Sequence, residues 1–331
     1  MLENELRIAR RAVIQAMEIT RRVQADMTGC DTITKSDSSP VTVADFASQA
    51  VICSVLHRNF PAIPIVAEES ATALRRPENR FARDRVAFYL ESTNGYSVWN
   101  DDDLFNSIDL GNHSPGDRFW TLDPIDGTKG FLRKEQYAVA LALVDQGRVE
   151  AGLLGCPNLD HPRSSSTGGC LVSAVRGQGA WMETQTGDSR KACRVSLEQD
   201  SHQMRFVESY VSSHSYTDMQ LAVARDLGIH GNPVRMDSQV KYAVIATGEA
   251  EIYLRIPHPD TPDYKEKIWD HAAGSLIVTE AGGRVTDIEG RELDFSKGKT
   301  LSHNRGVLAT TPRVHARVIR TIARLEGRAQ S

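Results

Sequence analysis

The sequence predicts a mixed fold of helices and sheets in two lobes, an α+β lobe over residues 1–200 and a smaller α/β lobe over 201–331. Three observations carry this. The chain opens on an amphipathic helix, it breaks from Phe119 into a regular series of short β segments, and beyond about residue 200 strands alternate with helical stretches. At 331 residues the chain also exceeds the roughly 250–300 at which a single core stops growing.

Over residues 4–25, Leu6, Ala9, Val13, Ala16, Met17 and Val23 recur at helical spacing between arginines and glutamates. A polar loop, "TGCDTITKSDSSPVTVAD", leads to a second helix over about 43–59, which Pro61 and Pro64 close. "IPIVAEES" reads as a buried strand running into two glutamates. Residues 71–117 read as an exposed insertion with one or two short helices, and a lid is one role open to it. "RFWTLD", "YAVALALVDQG", "RVEAGLLGCP", "GCLVSAVRGQGAW" and "KACRVSL" follow as an antiparallel meander, each closed by a turn signal. "FVESYV", "TDMQLAVARDLG", "SQVKYAVIATGE" and "AEIYLRI" then alternate strand and helix. The last helix is expected over about 271–280, ending at Gly282-Gly283 before "RVTDI".

Composition narrows the function. With 39 basic and 43 acidic residues the net charge is -4, so no basic field is present to hold a nucleic acid polymer or an anionic membrane. Five cysteines without a CxxC pair point to a reduced, cytoplasmic setting. The N-terminal stretch lacks the unbroken apolar core of a signal peptide or a membrane span. A soluble monomer acting on a small molecule is expected. No EF-hand loop occurs to suggest a calcium module.

The stretch "FWTLDPIDGTKGF" sets Asp123 and Asp126 three residues apart around Pro124 and Ile125. Pro124 fixes its own φ and biases Asp123 to an extended conformation, so these carboxylates are not stacked on a helix. At the mouth of a strand the two and an intervening carbonyl can converge, a hard all-oxygen set suited to Mg²⁺. Asp-Pro and Asp-Gly are also plain turn dipeptides. Other acids stand at element ends: Glu68-Glu69 after a strand, Asp45 near a helix start and Asp270 before a helix. Each has a structural alternative, since Asp45 can close a capping box with Thr42 and Asp270 can cap a helix. His271 reads as a satisfied structural histidine. Four or five converging carboxylates would hold two or three metals and suit in-line phosphoryl transfer to water.

In this order, "VAEES" (66–70), "LDPIDGTKGF" (122–131) and "WDHAAGSLIVTEAGG" (269–283) resemble the signature motifs of the lithium-sensitive, Mg²⁺-dependent phosphatases. That superfamily includes inositol monophosphatase and fructose-1,6-bisphosphatase. The extended forms "RFWTLDPIDGTKGFLRKEQYAVALALV" and "KIWDHAAG" are similar to those of the 3′(2′),5′-bisphosphate nucleotidases of fungi and plants. The resemblance runs from about residue 5 to 320 and thins between 71 and 117. It implies a layered sandwich of helices and sheets, lithium inhibition, and two or three Mg²⁺ ions held by Glu68, Asp123, the Ile125 carbonyl, Asp126 and Asp270. Asp45 and Thr128 match the pair that orients and deprotonates the attacking water. Gly127 and Thr128 would border the phosphate. More loosely, "SSHS" and "DSQVKY" resemble segments that hold the nucleotide, giving His214, Ser238 and Lys241 to the adenosine or its phosphates and Arg255 to the second phosphate. A bisphosphorylated nucleotide is thus the expected substrate, an inositol phosphate the nearest alternative, and a nucleotide sensor without turnover the alternative of another class.

Overall fold

Helix α1 (Glu3–Asp26) buries Ala9, Val13, Ala16 and Met17, the face its spacing predicts. Helix α2 spans Val43–Asn59 and starts at Thr42, whose hydroxyl accepts from the Ala44 and Asp45 amides while Asp45 accepts the Thr42 amide in return. The structure is a computed structural model that describes residues 2–27, 31–34, 40–92, 99–160, 168–210 and 216–327. The polar loop before α2 is not wholly irregular: β1 (Thr32–Thr34) and β2 (Pro40–Thr42) pair antiparallel within it. Three-residue strands are too short to show a period of two in sequence.

Seven strands form one sheet in chain order: β3 (Ile65–Ala67), β4 (Arg118–Asp126), β5 (Ala138–Asp145), β6 (Arg148–Cys156), β7 (Cys170–Val175), β8 (Ala180–Thr184) and β9 (Arg190–Ala192). The expected meander runs antiparallel from β4 to β9, whereas β3 pairs parallel to β4. Inside the insertion, α3 (Arg80–Glu91) and α4 (Asp101–Asp109) pack on α2, and the Gly111 carbonyl accepts from Ala67 at 2.8 Å. The described part of 71–117 therefore braces β3, and none of it lines the cavity below. Between β4 and β5 lies the one-turn helix α5 (Thr128–Leu132).

The second sheet has the order β11-β10-β12-β14-β13, from β10 (Phe206–Glu208), β11 (Val234–Arg235), β12 (Ile252–Arg255), β13 (Arg284–Thr286) and β14 (Val307–Thr310). Its helices are α6 (Thr217–Leu227), α7 (Val240–Ala246), α8 (Ala272–Glu280) and α9 (Pro312–Leu325). Alternation along the strands sorts these into layers. Val139, Leu141 and Leu143 of β5 pack with α1 and α2, while Ala138, Ala140 and Ala142 face α7 and α8. Val207, Tyr253 and Val307 meet the same two helices from the second sheet, whose Phe206, Ile252 and Leu308 turn to α6 and α9. The result is helix, sheet, helix, sheet, helix, the layered sandwich that the resemblance implies. Small side chains let the middle layer come close; a Cβ on Gly152 would sit 2.8 Å from the Ala273 carbonyl.

Helix α9 corrects the reading that the last helix ends near 280. Pro312 stands at its first turn, and Val314, Val318 and Ile322 mark its buried stripe. His315 and Thr321 are buried beside that stripe and Ile319 packs at its edge, so polar residues share the buried face with the apolar ones.

Candidate active site

Parallel pairing of β3 with β4 places Ala67 opposite Leu122, and the Glu68 amide donates to the Leu122 carbonyl at 3.1 Å. Glu68 and Asp123 thus follow from neighbouring positions at the same ends of two strands. Strand β4 does not stop at Asp123. It pairs with β5 as far as Asp126 opposite Ala138, after a register shift between Asp123 and Asp126. Pro124 has no amide for the ladder, and the Ile125 amide turns to Asp123 Oδ1 at 3.1 Å. This bulge, not a turn beyond the strand, sets the two carboxylates. Ser48 of α2 secures it by donating to the Pro124 carbonyl at 2.9 Å.

At Gly127 the chain takes φ +90°, and a Cβ there would lie 2.9 Å from that of Ser238, so only glycine fits without strain. Glu68, Asp123, Ile125, Asp126, Gly127, Thr128 and Asp270 all border one cavity of about 230 Å³, which Ser238, Lys241, Tyr253 and Arg255 share. The structure therefore brings together most of the residues singled out in sequence. Asp45 lies behind the lining, with Oδ2 held by the Thr42 amide (2.8 Å) and hydroxyl (2.6 Å), so its capping-box reading is realised. Thr128 donates to the Ile125 carbonyl at a long 3.4 Å. His214 lies outside the described residues.

The acids are held against their own charge. Burial raises the Asp123 carboxyl well above the usual carboxylate range, and Glu68, Asp126, Asp270 and Asp45 raise it further. Asp270 is raised likewise, by burial and then Asp126, with Arg255 opposing. Asp126 is raised by burial despite Lys241 and the Gln239 amide. An all-oxygen cluster that disfavours its own ionisation fits a hard divalent cation, whose charge would reverse these shifts.

Cations complete the cavity. Burial lowers Lys241 to about 8; its Nζ donates to Ser209 Oγ at 3.0 Å and lies 5.4 Å from the Tyr253 ring centre. Lys241 is buried rather than set on a solvated helix face. Arg255 Nε donates to Glu266 at 2.8 Å, and His271 joins Glu266 at 3.2 Å and the Tyr242 hydroxyl at 2.7 Å. Burial favours neutral His271, whereas Glu266 stays below its usual range because Arg255 and His271 outweigh its burial. Glu266, Asp270 and His271 offer ligand atoms within 4.8 Å of one another. Glu266 is committed to Arg255, and both His271 nitrogens are used, so this trio is an anchoring network rather than a metal cage. Sequence reading missed Glu266, Ser209 and Gln239. Gln239 sat inside "DSQVKY", yet nothing in one sequence reveals what an amide touches.

Fold and site together define a class, a layered α/β enzyme whose buried acids share a cavity with Lys241 and Arg255. Residues 1–326 match the inositol monophosphatase family, and the chain belongs to it. That family is generally metal-dependent. A 3′(2′),5′-bisphosphate nucleotidase of Oryza sativa is 40% identical over 96% of this chain and 93% of its own length. One of Emericella nidulans is 41% identical over 98% of each. Among solved structures, Thermotoga maritima IMPase matches with a TM-score of 0.66 at 19% identity, covering 98% of this chain and all (100%) of that one. That likeness establishes the fold. No helix of the described residues is long and apolar enough to cross a membrane.

Proposed function

We propose that this chain hydrolyses the 3′-phosphate of adenosine 3′,5′-bisphosphate to give AMP and phosphate, and acts also on 3′-phosphoadenosine 5′-phosphosulfate. The observation that carries the reading is one cavity shared by buried carboxylates and by Lys241 and Arg255. Near full-length similarity to nucleotidases directs it to a nucleotide. Glu68, Asp123, the Ile125 carbonyl, Asp126 and Asp270 would hold two or three Mg²⁺ ions, which when bound neutralise the phosphate and lower the pKa of water.

The chain's own groups do the positioning. Thr128 holds only a weak bond to Ile125, so its hydroxyl is easily redirected to a water in line with the phosphorus. Asp45 takes the water's proton in this scheme, its backbone and Oδ2 already fixed by Thr42. Gly127 leaves room for the phosphate to approach the start of α5. Lys241 and Arg255 take the nucleotide's phosphates, Arg255 pre-set by Glu266 so that little side-chain freedom is lost on binding. Ser238 and His214 are assigned to the nucleoside. The lobe of residues 1–200 then carries most of the chemistry, and the lobe of residues 201–331 carries substrate choice together with the ligand Asp270.

Phosphate release from adenosine 3′,5′-bisphosphate and from inositol 1-phosphate, with and without Mg²⁺ and then lithium, tests this. Mg²⁺-dependent, lithium-blocked release from the nucleotide is expected. Preference for the inositol ester would discard the roles of His214, Ser238, Lys241 and Arg255, and release from neither would discard the reaction.

A further inference from the structure

Gln239 is buried at the start of α7 and touches three separate parts of the site. Its amide N–H donates to Asp126 Oδ2 at 2.6 Å. Its side-chain Nε2 donates to the Trp269 carbonyl at 2.8 Å, immediately before Asp270, and its Oε1 accepts from the Gly274 amide in the first turn of α8 at 3.1 Å. Asp126 and Asp270 are 144 positions apart in sequence (270 minus 126), on strand and helix of different layers. Gln239 is the described residue that hydrogen-bonds the one carboxylate and the backbone carrying the other.

The segment it sits in is itself tightly set. Ser238 holds a left-handed φ of +65°, a conformation that costs a non-glycine residue, and it abuts Gly127. Arg133, next to α5, is paired with Asp237. The cavity-facing Ser238 and Lys241 thus flank Gln239 on a segment pinned at both sides.

We propose that Gln239 is a positioning residue that fixes Asp126 and Asp270 relative to each other, and so sets how tightly the acidic cluster holds a cation. This rests on the assignment of those two carboxylates as ion ligands. The residue type is what the task requires. A primary amide supplies both a donor and an acceptor at this reach without charge. Glutamate could accept from Gly274 but would set a carboxylate against the Trp269 carbonyl and add an acid to a crowded cluster. Asparagine is one methylene short of both partners. The coupling has a second consequence: a nucleotide held by Ser238 and Lys241 steadies the segment that donates to Asp126, so nucleotide and ion should tighten each other's binding.

The test uses Gln239→Met, which keeps the volume and loses both side-chain bonds, with Gln239→Ala beside it. Mn²⁺ binding without substrate is measured by calorimetry, together with the Mg²⁺ activation constant, KM at saturating Mg²⁺ and the melting temperature of the ion-free protein. Thr279→Val is the control for plain destabilisation, since the Thr279 hydroxyl donates to the Ser275 carbonyl on the far part of α8, away from the cavity. Expected for Gln239→Met is Mn²⁺ binding weakened by about tenfold, the range found when groups supporting metal ligands are removed. The Mg²⁺ activation constant should rise in parallel, with kcat largely restored by excess Mg²⁺. Thr279→Val should lower only the melting temperature. Unchanged Mn²⁺ affinity in a folded Gln239→Met protein would overturn the proposal and leave Gln239 a structural residue. Failure of the underlying assignment looks different, because the unsubstituted protein would then bind no Mn²⁺ at all. Should Gln239→Met not fold, Gln239→Asn, which falls one methylene short of both partners without adding charge, provides the same readout.

Discussion

The acidic and cationic sets of the cavity are built by opposite means. Glu68, Asp123 and Asp126 sit on the ends of two adjacent strands, where sheet pairing and a bulge place the backbone and Ser48 locks it. Lys241 and Arg255 come from a helix and a strand of the other sheet, and each is aimed by a side chain: Ser209 for the lysine, Glu266 for the arginine. One set is positioned by main chain and the other by side-chain tethers. Backbone positioning makes Glu68, Asp123 and Asp126 hard to move by distant side-chain changes, whereas Asp270, whose backbone the Gln239 side chain anchors, is the exception among the acids. Tethering lets single distant changes retune the cations, which suits the chemistry being fixed and the substrate being adjustable within one family.

The sharpest break is Asp123→Asn. It keeps the shape of the bulge and the bond from the Ile125 amide but removes a ligand charge at the most crowded acid. Turnover is expected to fall by at least about 10³-fold, since a metal-assisted site loses several kcal/mol of charge stabilisation with one ligand. The thermal midpoint without metal should rise, because Asp123 ionises against its environment. Scanning calorimetry with and without Mg²⁺ checks both signs. Retained activity would mean the acids are not the ion site.

Glu266→Gln should act on the tethered set. It leaves the buried Arg255 guanidinium without its anion and removes the charge beside His271, at a cost of about 3–5 kcal/mol in stability. In the fraction that folds, KM for the nucleotide should rise by more than kcat falls, because Arg255 loses its aim while the acids keep theirs. Steady-state kinetics beside urea melts separate the two effects. Equal losses in kcat and kcat/KM would place Arg255 with the chemistry instead.

The same contrast explains what could be read from sequence. Positions fixed by local backbone are legible: "TVAD" announces the cap of α2, Pro124 announces that the two aspartates are not stacked on a helix, though not that β4 continues past them through a bulge, and Gly127 announces a close backbone approach. Glu68 and Asp123 share one signal, an acid after an apolar run, because they are at corresponding ends of paired strands. Glu266 and Gln239 gave no such signal. Their roles lie in contacts with Arg255, Trp269 and Gly274, which depend on how two sheets and α8 stack. The parallel joining of β3 and the partly polar buried face of α9 were missed for a similar reason, since both are decided by what packs against them.

Lys241 sharpens the comparison by pH, with the smallest effect of the three. Burial lowers its pKa to about 8 in the substrate-free protein. Below that value the ammonium is charged and can hold a phosphate; above it the charge is lost. KM for the nucleotide should therefore rise by about tenfold per unit as pH climbs past 8, until other contacts dominate. Stability has the opposite sign. Between about 8 and the ordinary lysine value of about 10.4, the unfolded chain keeps a proton that the folded one has released, so this lysine's contribution to stability increases with pH. Tyrosines and cysteines of the unfolded chain release protons in the same range, while burial pushes Cys53, Cys193, Tyr137, Tyr242 and Tyr253 above their ordinary values in the folded protein, so the readout is the difference from Lys241→Met, which should have a weaker but pH-flat KM and a relative stability advantage that shrinks from pH 8 to 10. A KM that rises equally in both proteins would show that the tether to Ser209 orients a neutral amine and that the charge on the nucleotide is met by Arg255 alone.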